Sequence, residues 1–389
     1  MADQNKEPKK EESKFSTATL YKLMAQAKMY PDRIELGRGD PDLDTPPHII
    51  EAFRKTIMDG FSGPQPVEGI LPLREAIAKR VKRVNGIDVD PETEVVVTNG
   101  GQEALFIMVQ TVLSAGDEII TPDPNYNSYR DTIRFSRAER VPVKTYVEDS
   151  FRADPDRIRA AITEKTRALL VVSPNNPTGA VISPADVREL TAIAEENDLI
   201  ILADDIYDRF TYDDAIHLSP ASLPGIKERT ITLNAVSKMY SMCGWRLGWL
   251  VGPKDLMKQV SAVKAAVSGG TPIVSQMGAL AALTGPDDSI IAQRQIYIQR
   301  RKVILDGLNR MGLNYGIPQG GQFVFVDIRK TGLSSLEFVQ LALEECHVLT
   351  YPGGAFGADF DHCVRITFLQ PEDKLREAFA RMEKVIKVN

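Results

Sequence analysis

RALLVVSPNNPTGAVISPADVRELTAIAEENDLIILADDIY, residues 167–207, is the stretch that decides the fold. Two apolar runs, RALLVV and LIILA, flank ADVRELTAIAEEN, whose apolar residues recur at helical spacing. Unbroken apolar strands alternating with helices imply a mostly parallel sheet covered on both faces. The alternation continues outward. EVVVTNG (94–100), DEIITPDP (117–124), RTITLNAVS (229–237) and RLGWLVG (246–252) read as further strands, and GQEALFIMVQTVL (101–113) as a helix. From about residue 290 the pattern changes to a helical run rich in Arg, Gln and Ile. Strand-like GQFVFVDI, HVLTYPG and CVRITFL follow, with two further helices, and this part reads as a smaller α+β lobe. At 389 residues the chain exceeds the size at which one core stops growing, so two lobes are expected.

Composition narrows the function. The chain is 43% hydrophobic and 26% charged, ordinary globular usage. A net charge of −6 argues against a nucleic-acid surface, which needs a basic patch. No apolar run reaches the length of a membrane helix. Cys243, Cys346 and Cys363 are odd in number and widely spaced, which fits a reducing compartment, so a cytoplasmic protein is expected. His48, His217, His347 and His362 are scattered and no HExxH or paired Cys/His spacing exists, so no metal site is expected. Residues 1–14, MADQNKEPKKEESK, read as a disordered tail.

In open α/β sheets ligands bind beyond the carboxyl ends of the strands. Here those ends carry the unusual residues: Asn99-Gly100-Gly101, Asn175-Asn176-Pro177, Asp204-Asp205 and Ser237-Lys238. In TNGGQEAL two glycines open a helix at about Gly101, where free N–H groups and the dipole suit an anion; a tight turn explains them as well. SPNNPTG is turn chemistry, or it fixes the Asn176 amide toward a site with help from Pro177 and Gly179. Asp204 ends an apolar strand, where a buried carboxylate must meet a cation or a protonated ring nitrogen. Tyr207 lies one helical turn on, and two solvated acids are the plain alternative. Lys238 stands at another strand end with Arg246 eight positions later. A lysine held out of water near other charges is nucleophilic and forms Schiff bases with carbonyls; a structural ion pair with Asp204 or Asp205 is the alternative. SAVK (261–264) and KTG (330–332) match serine-acylase fragments, but their order and context are wrong.

Seven motifs in order, LGRGDPDLDTP, TNGGQEAL, PDPNYNSY, SPNNPTG, ADDIY, SKMYSMCGWRLGW and VRITF, span most of residues 35–369. Together they resemble the fold-type I pyridoxal-phosphate aminotransferases of class I/II. The resemblance implies that Lys238 holds the cofactor as an internal aldimine and then moves a proton between Cα and C4′. It implies that Asp204 pairs with the pyridinium nitrogen, and that Tyr207 and Asn176 bond the phenolic oxygen. Tyr126 would stack on the ring, and Gly101, Gln102, Ser237 and Arg246 would hold the phosphate. Arg365 would grip the substrate α-carboxylate as a fork, shared with Asn176, and Gly39 would leave room for it.

The implied activity is ping-pong transfer of an amino group between an L-amino acid and a 2-oxo acid, in a homodimer with sites at the interface. The implied division is 15–47 and 291–389 as a small domain, with 48–290 as the large pyridoxal-phosphate domain. A β-lyase, decarboxylase or oxidase on the same fold, and a non-catalytic sensor, stay open. The sequence also departs from the common pattern. Pro64 stands where many relatives carry an interface tyrosine, and Ala235 where they carry Ser or Thr. Gln322 stands where a small or apolar residue is frequent, and is a candidate to face the substrate, as are Arg38, Tyr21 and Arg130.

Overall fold

A computed structural model describes residues 15, 17–60 and 63–387. The expected tail, 1–14, lies outside the described residues. In chain order the strands are β1 (Ile34–Glu35), β2 (Val95–Thr98), β3 (Glu118–Asp123), β4 (Glu139–Lys144), β5 (Thr166–Val172), β6 (Ile200–Asp204), β7 (Thr230–Ala235) and β8 (Gly248–Val251). They continue with β9 (Asn314–Tyr315), β10 (Phe323–Asp327), β11 (Val348–Leu349), β12 (Tyr351–Pro352) and β13 (Cys363–Thr367).

Seven of them form a mixed sheet in the order β2-β8-β7-β6-β5-β3-β4. It is parallel except for β8, which runs against both neighbours. The unit that decided the reading is present: β5 pairs with β6 from Ala168↔Ile200 to Val172↔Asp204. The helix Pro184–Glu196 joins them, started by Ser183, whose Oγ accepts from the Asp186 N–H. Alternate residues of these strands serve different cores. Leu170, Val172 and Leu202 pack with the helices Gly101–Val112 and Lys254–Val267, while Leu169, Val171 and Ile201 pack with Val187 and Leu190 of Pro184–Glu196. Both faces are buried, which is why the runs are apolar without alternation.

One strand of this sheet escaped the sequence reading, as did the two-residue β1 and β9 outside it. β4 is the sheet edge, with Glu139 and Pro142 exposed, so it shows neither an apolar run nor clean alternation. A second difference is that HVLTYPG is two strands. β11 pairs in parallel with β1, whereas β12 joins the antiparallel sheet β12-β13-β10-β9. Leu36 causes the split: its N–H donates to the Leu349 carbonyl at 2.8 Å, and its own carbonyl accepts from Thr367 at 2.8 Å. The N-terminal segment is thereby wedged among the C-terminal strands. Asp42 holds the following loop by a two-pronged bond from Arg300, at 2.7 and 2.9 Å, on the long helix Asp288–Met311. This brings Gly39 beside Arg365.

Candidate active site

A cleft of about 740 Å³ opens beyond the carboxyl ends of the parallel strands. Gly39, Gly101, Gln102, Tyr126, Asn176, Asp204, Tyr207, Ser237, Lys238, Arg246 and Arg365 all line it, so the residues assigned cofactor, catalytic and carboxylate roles from sequence reach one space, together with Arg38.

Lys238 follows β7 in the short helix Val236–Met239. Its Nζ donates to the Gly39 carbonyl at 2.6 Å, lies 3.5 Å from Asp40 Oδ1 and 3.6 Å from Cys243 Sγ. The alternative of an ion pair with Asp204 or Asp205 does not hold: the carboxylate Lys238 meets belongs to Asp40, brought in by the wedged N-terminal loop. Burial works against the Asp40 charge, but Lys238 and Arg38 hold its carboxyl below the usual value. Burial pushes the Cys243 thiol up, so it meets Lys238 protonated.

Asp204, the last residue of β6, is buried. It accepts from the Tyr129 hydroxyl at 2.6 Å and from the Ile206 N–H at 3.0 Å, both neutral donors. Burial pushes its carboxyl up to about 6, against these two bonds. Asp205 instead faces His217, 3.4 Å away, and belongs to a buried network in which Asn85 and Arg80 meet Asp208. Tyr207 is buried edge-on to Phe323, and burial keeps its phenol protonated.

The opposite wall carries Arg365, which donates to Asn176 Oδ1 at 2.8 Å and to the Gly37 carbonyl at 2.6 Å. Its Nε is buried without a hydrogen-bond partner, and its guanidinium lies over Phe323, Tyr351 and Phe356. Among the described residues neither Asp204 nor Arg365 has an ion-pair partner. Asn176 is held by its turn: Gly179, at φ 70°, donates to the Asn175 carbonyl at 2.8 Å. A Cβ at Gly179 would sit 2.6 Å from Pro318, so only glycine fits there.

At the start of the helix Gly101–Val112, Gly100 has φ 87°. A Cβ on it would stand 2.6 Å from Arg246 Nη2, so its absence makes room for the guanidinium beside the helix start. Arg246 donates to the Cys243 and Asn99 carbonyls, leaving an exposed cation beside a helix N-terminus. Tyr126 hydroxyl donates to Gln102 Oε1 at 3.4 Å.

A family model described as aminotransferase class I and II matches residues 31–382. The chain belongs to that family. It is 40% identical over 358 residues to aromatic-amino-acid aminotransferase 2 of Thermococcus litoralis, covering 91% of this chain and 92% of the relative. It is 39% identical over 372 residues to an aspartate aminotransferase of Pyrococcus abyssi, covering 95% of each. Among solved structures, a double mutant of Thermus thermophilus aspartate aminotransferase superposes with a TM-score of 0.90 at 36% identity, covering 95% of each chain. The protein is thus an aminotransferase of fold type I, a family that uses pyridoxal phosphate.

In this aminotransferase two expectations need correction. Gln322 does not reach the cleft: it is fully buried with its amide unpaired, because Phe323 beside it takes the cleft-facing side of β10. Arg130 is exposed and lies outside the cleft lining. Tyr129, Asp40 and Cys243 were missed. The spacing of Tyr129, three residues after Tyr126 in PNYNSY, was the available signal for a partner to Asp204. The SAVK fragment sits on the helix Lys254–Val267, away from the cleft, with Lys264 bonded to the Gly269 carbonyl.

Proposed function

We propose that this aminotransferase moves an amino group between an L-amino acid and a 2-oxo acid in two half-reactions, with pyridoxal phosphate seated in the cleft and held covalently through Lys238. One observation carries the reading: Lys238 shares a cleft with a buried carboxylate and a buried guanidinium, neither with an ionic partner among the described residues. Isolated buried ions are costly, so each calls for a ligand of opposite charge.

The donor set fits the cofactor. The Asp204 carboxylate suits a protonated ring nitrogen, and the helix start with Arg246 and Ser237 suits a phosphate. When bound, pyridoxal phosphate supplies an electron sink for negative charge at the substrate Cα. The chain does the rest. Tyr129 holds Asp204 in place. The Gly101 and Gln102 N–H groups, Ser237 and Arg246 would anchor the phosphate. Tyr126 would pack against the ring, and Tyr207 with Asn176 would donate to its phenolic oxygen. Arg365 forks the α-carboxylate, with Gly39 leaving room for it. Lys238 takes and returns the proton at Cα.

The working unit we propose is a cytoplasmic homodimer, in keeping with the family resemblance and the three free cysteines. Its protomers would be divided into 48–290 and a small domain of 15–47 with 291–389. β1 pairing with β11 supports that grouping. Borohydride reduction of the holoenzyme followed by peptide mapping is expected to place the cofactor on Lys238. A panel of amino donors with pyruvate, followed for ammonia and peroxide as well as product, should show transfer alone. Label elsewhere, or ammonia release in place of transfer, refutes the reading.

A further inference from the structure

A second cavity of about 670 Å³ adjoins the first. The two share Arg38, Gly39, Asp40, Tyr126 and Arg365. We propose that this second cavity receives the donor's side chain and selects a large apolar, phenyl-sized group over a carboxylate. The proposal rests on the amino-transfer reading above.

A substrate whose α-carboxylate is held by Arg365, with its Cα toward Lys238, sits where the two cavities meet. The cofactor's binding groups lie along the first cavity, leaving the second for the side chain. One stretch of its wall is apolar. Leu20, Leu23 and Met24 come from the helix Thr17–Ala27, and Tyr351 and Phe356 face them across the cavity lining. These two rings also lie 5.0 and 4.9 Å from the Arg365 guanidinium, so the aromatic wall begins at the carboxylate fork itself. Tyr21 and Met24 are large, exposed apolar groups on this one helix, and a side-chain subsite gives that patch a use.

The charges point the same way. Besides Arg365, the cations lining this cavity are Lys28, Arg33 and Arg38. Arg33 is paired with Glu35 at 2.8 Å, and Arg38 with Asp40 at 3.2 Å. Lys28 is exposed and hydrated, where a single charge pair contributes little. A second substrate carboxylate would therefore share Arg33 with Glu35 or Arg38 with Asp40 and face that carboxylate as a like charge. Relatives of this chain are named for both aromatic and aspartate substrates, and this arrangement favours the former class.

The test uses the holoenzyme. The amino half-reaction, followed by cofactor absorbance, is expected to run with kcat/KM roughly 100-fold higher for L-phenylalanine than for L-aspartate, with L-leucine near L-phenylalanine. Met24→Lys places a cation in the apolar wall and should cut that ratio by about 10-fold or more. Independently of turnover, calorimetry should show 3-phenylpropanoate binding more tightly than succinate. Preference for aspartate or for succinate, or a ratio unmoved by Met24→Lys in folded protein, overturns the subsite. Failure of every amino donor, with the cofactor still trapped on Lys238, overturns the amino-transfer reading and the subsite with it.

Discussion

Asp204→Asn is expected to stabilise the cofactor-free protein at neutral pH while disabling the enzyme. Burial pushes the Asp204 carboxyl from an ordinary 3.8 up to about 6, with Asp205 and Asp208 adding to the rise and Tyr129 and Ile206 opposing it. A carboxyl whose folded pKa is raised binds its proton more tightly in the folded chain. Its contribution to stability is intact below about pH 4 and is lost as pH rises through about 6. A shift of about two units corresponds to about 3 kcal/mol, the cost of holding the ionised group buried above about pH 7. Asparagine has the same shape and no charge. Its oxygen still accepts from the Ile206 N–H, and its amide can donate to the Tyr129 hydroxyl oxygen.

Urea unfolding of the stripped wild type and variant between about pH 4 and about pH 8 checks this. The variant's advantage should be near zero at the acid end and approach about 3 kcal/mol at the alkaline end. With cofactor present the order should reverse, since the wild type then gains the binding free energy that the variant largely forfeits. A difference flat with pH, or a variant less stable than wild type at about pH 8, would refute the reasoning.

Two further perturbations probe other parts of the site. Arg365→Lys keeps the charge but loses the fork, and a charged hydrogen bond contributes about 1.5–3 kcal/mol, so kcat/KM for amino-acid donors should fall roughly 10- to 150-fold. Unchanged steady-state kinetics would place the α-carboxylate elsewhere. Asp208→Ala removes the partner of buried Arg80, 2.7 Å away, together with acceptors for Asn85 and Asn234. It should cost about 3–5 kcal/mol in urea unfolding, and a loss below about 1 kcal/mol would show that the network does not stabilise the fold.

The sheet and most of the cleft were legible because both follow from local pattern. β5 and β6 are apolar on both faces, and the residues that end the parallel strands are where such sheets bind ligands. What was hidden depended on distant chain. Asp40 meets Lys238 only because Leu36 is zipped between Leu349 and Thr367, some 300 residues later in sequence. Gln322 was misplaced by one residue of strand parity: β10 turns Phe323 toward Tyr207 and Arg365, so its neighbour must face the interior. Tyr129 was hidden because a buried tyrosine reads as core unless the partner of the buried Asp204 is sought explicitly.

The single reversed strand explains why Arg246 belongs to the same site as Lys238. β8 pairs antiparallel with β2 at Thr98↔Gly248 and with β7 at Ala235↔Gly248. Its first residue therefore lies level with the carboxyl ends of both neighbours, one leading into Gly100 and the other into Lys238. Arg246, two residues before Gly248, arrives beside the helix start at the same edge, where its Nη2 reaches the Asn99 carbonyl. Were β8 parallel like the rest, its first residue would fall at the far end of its own four-residue span, roughly 10 Å away at about 3.3 Å per residue. The guanidinium would then stand at the opposite edge of the sheet, and the helix start would lose its cation. The exception to the parallel pattern is thus what brings Arg246 to the proposed anion site.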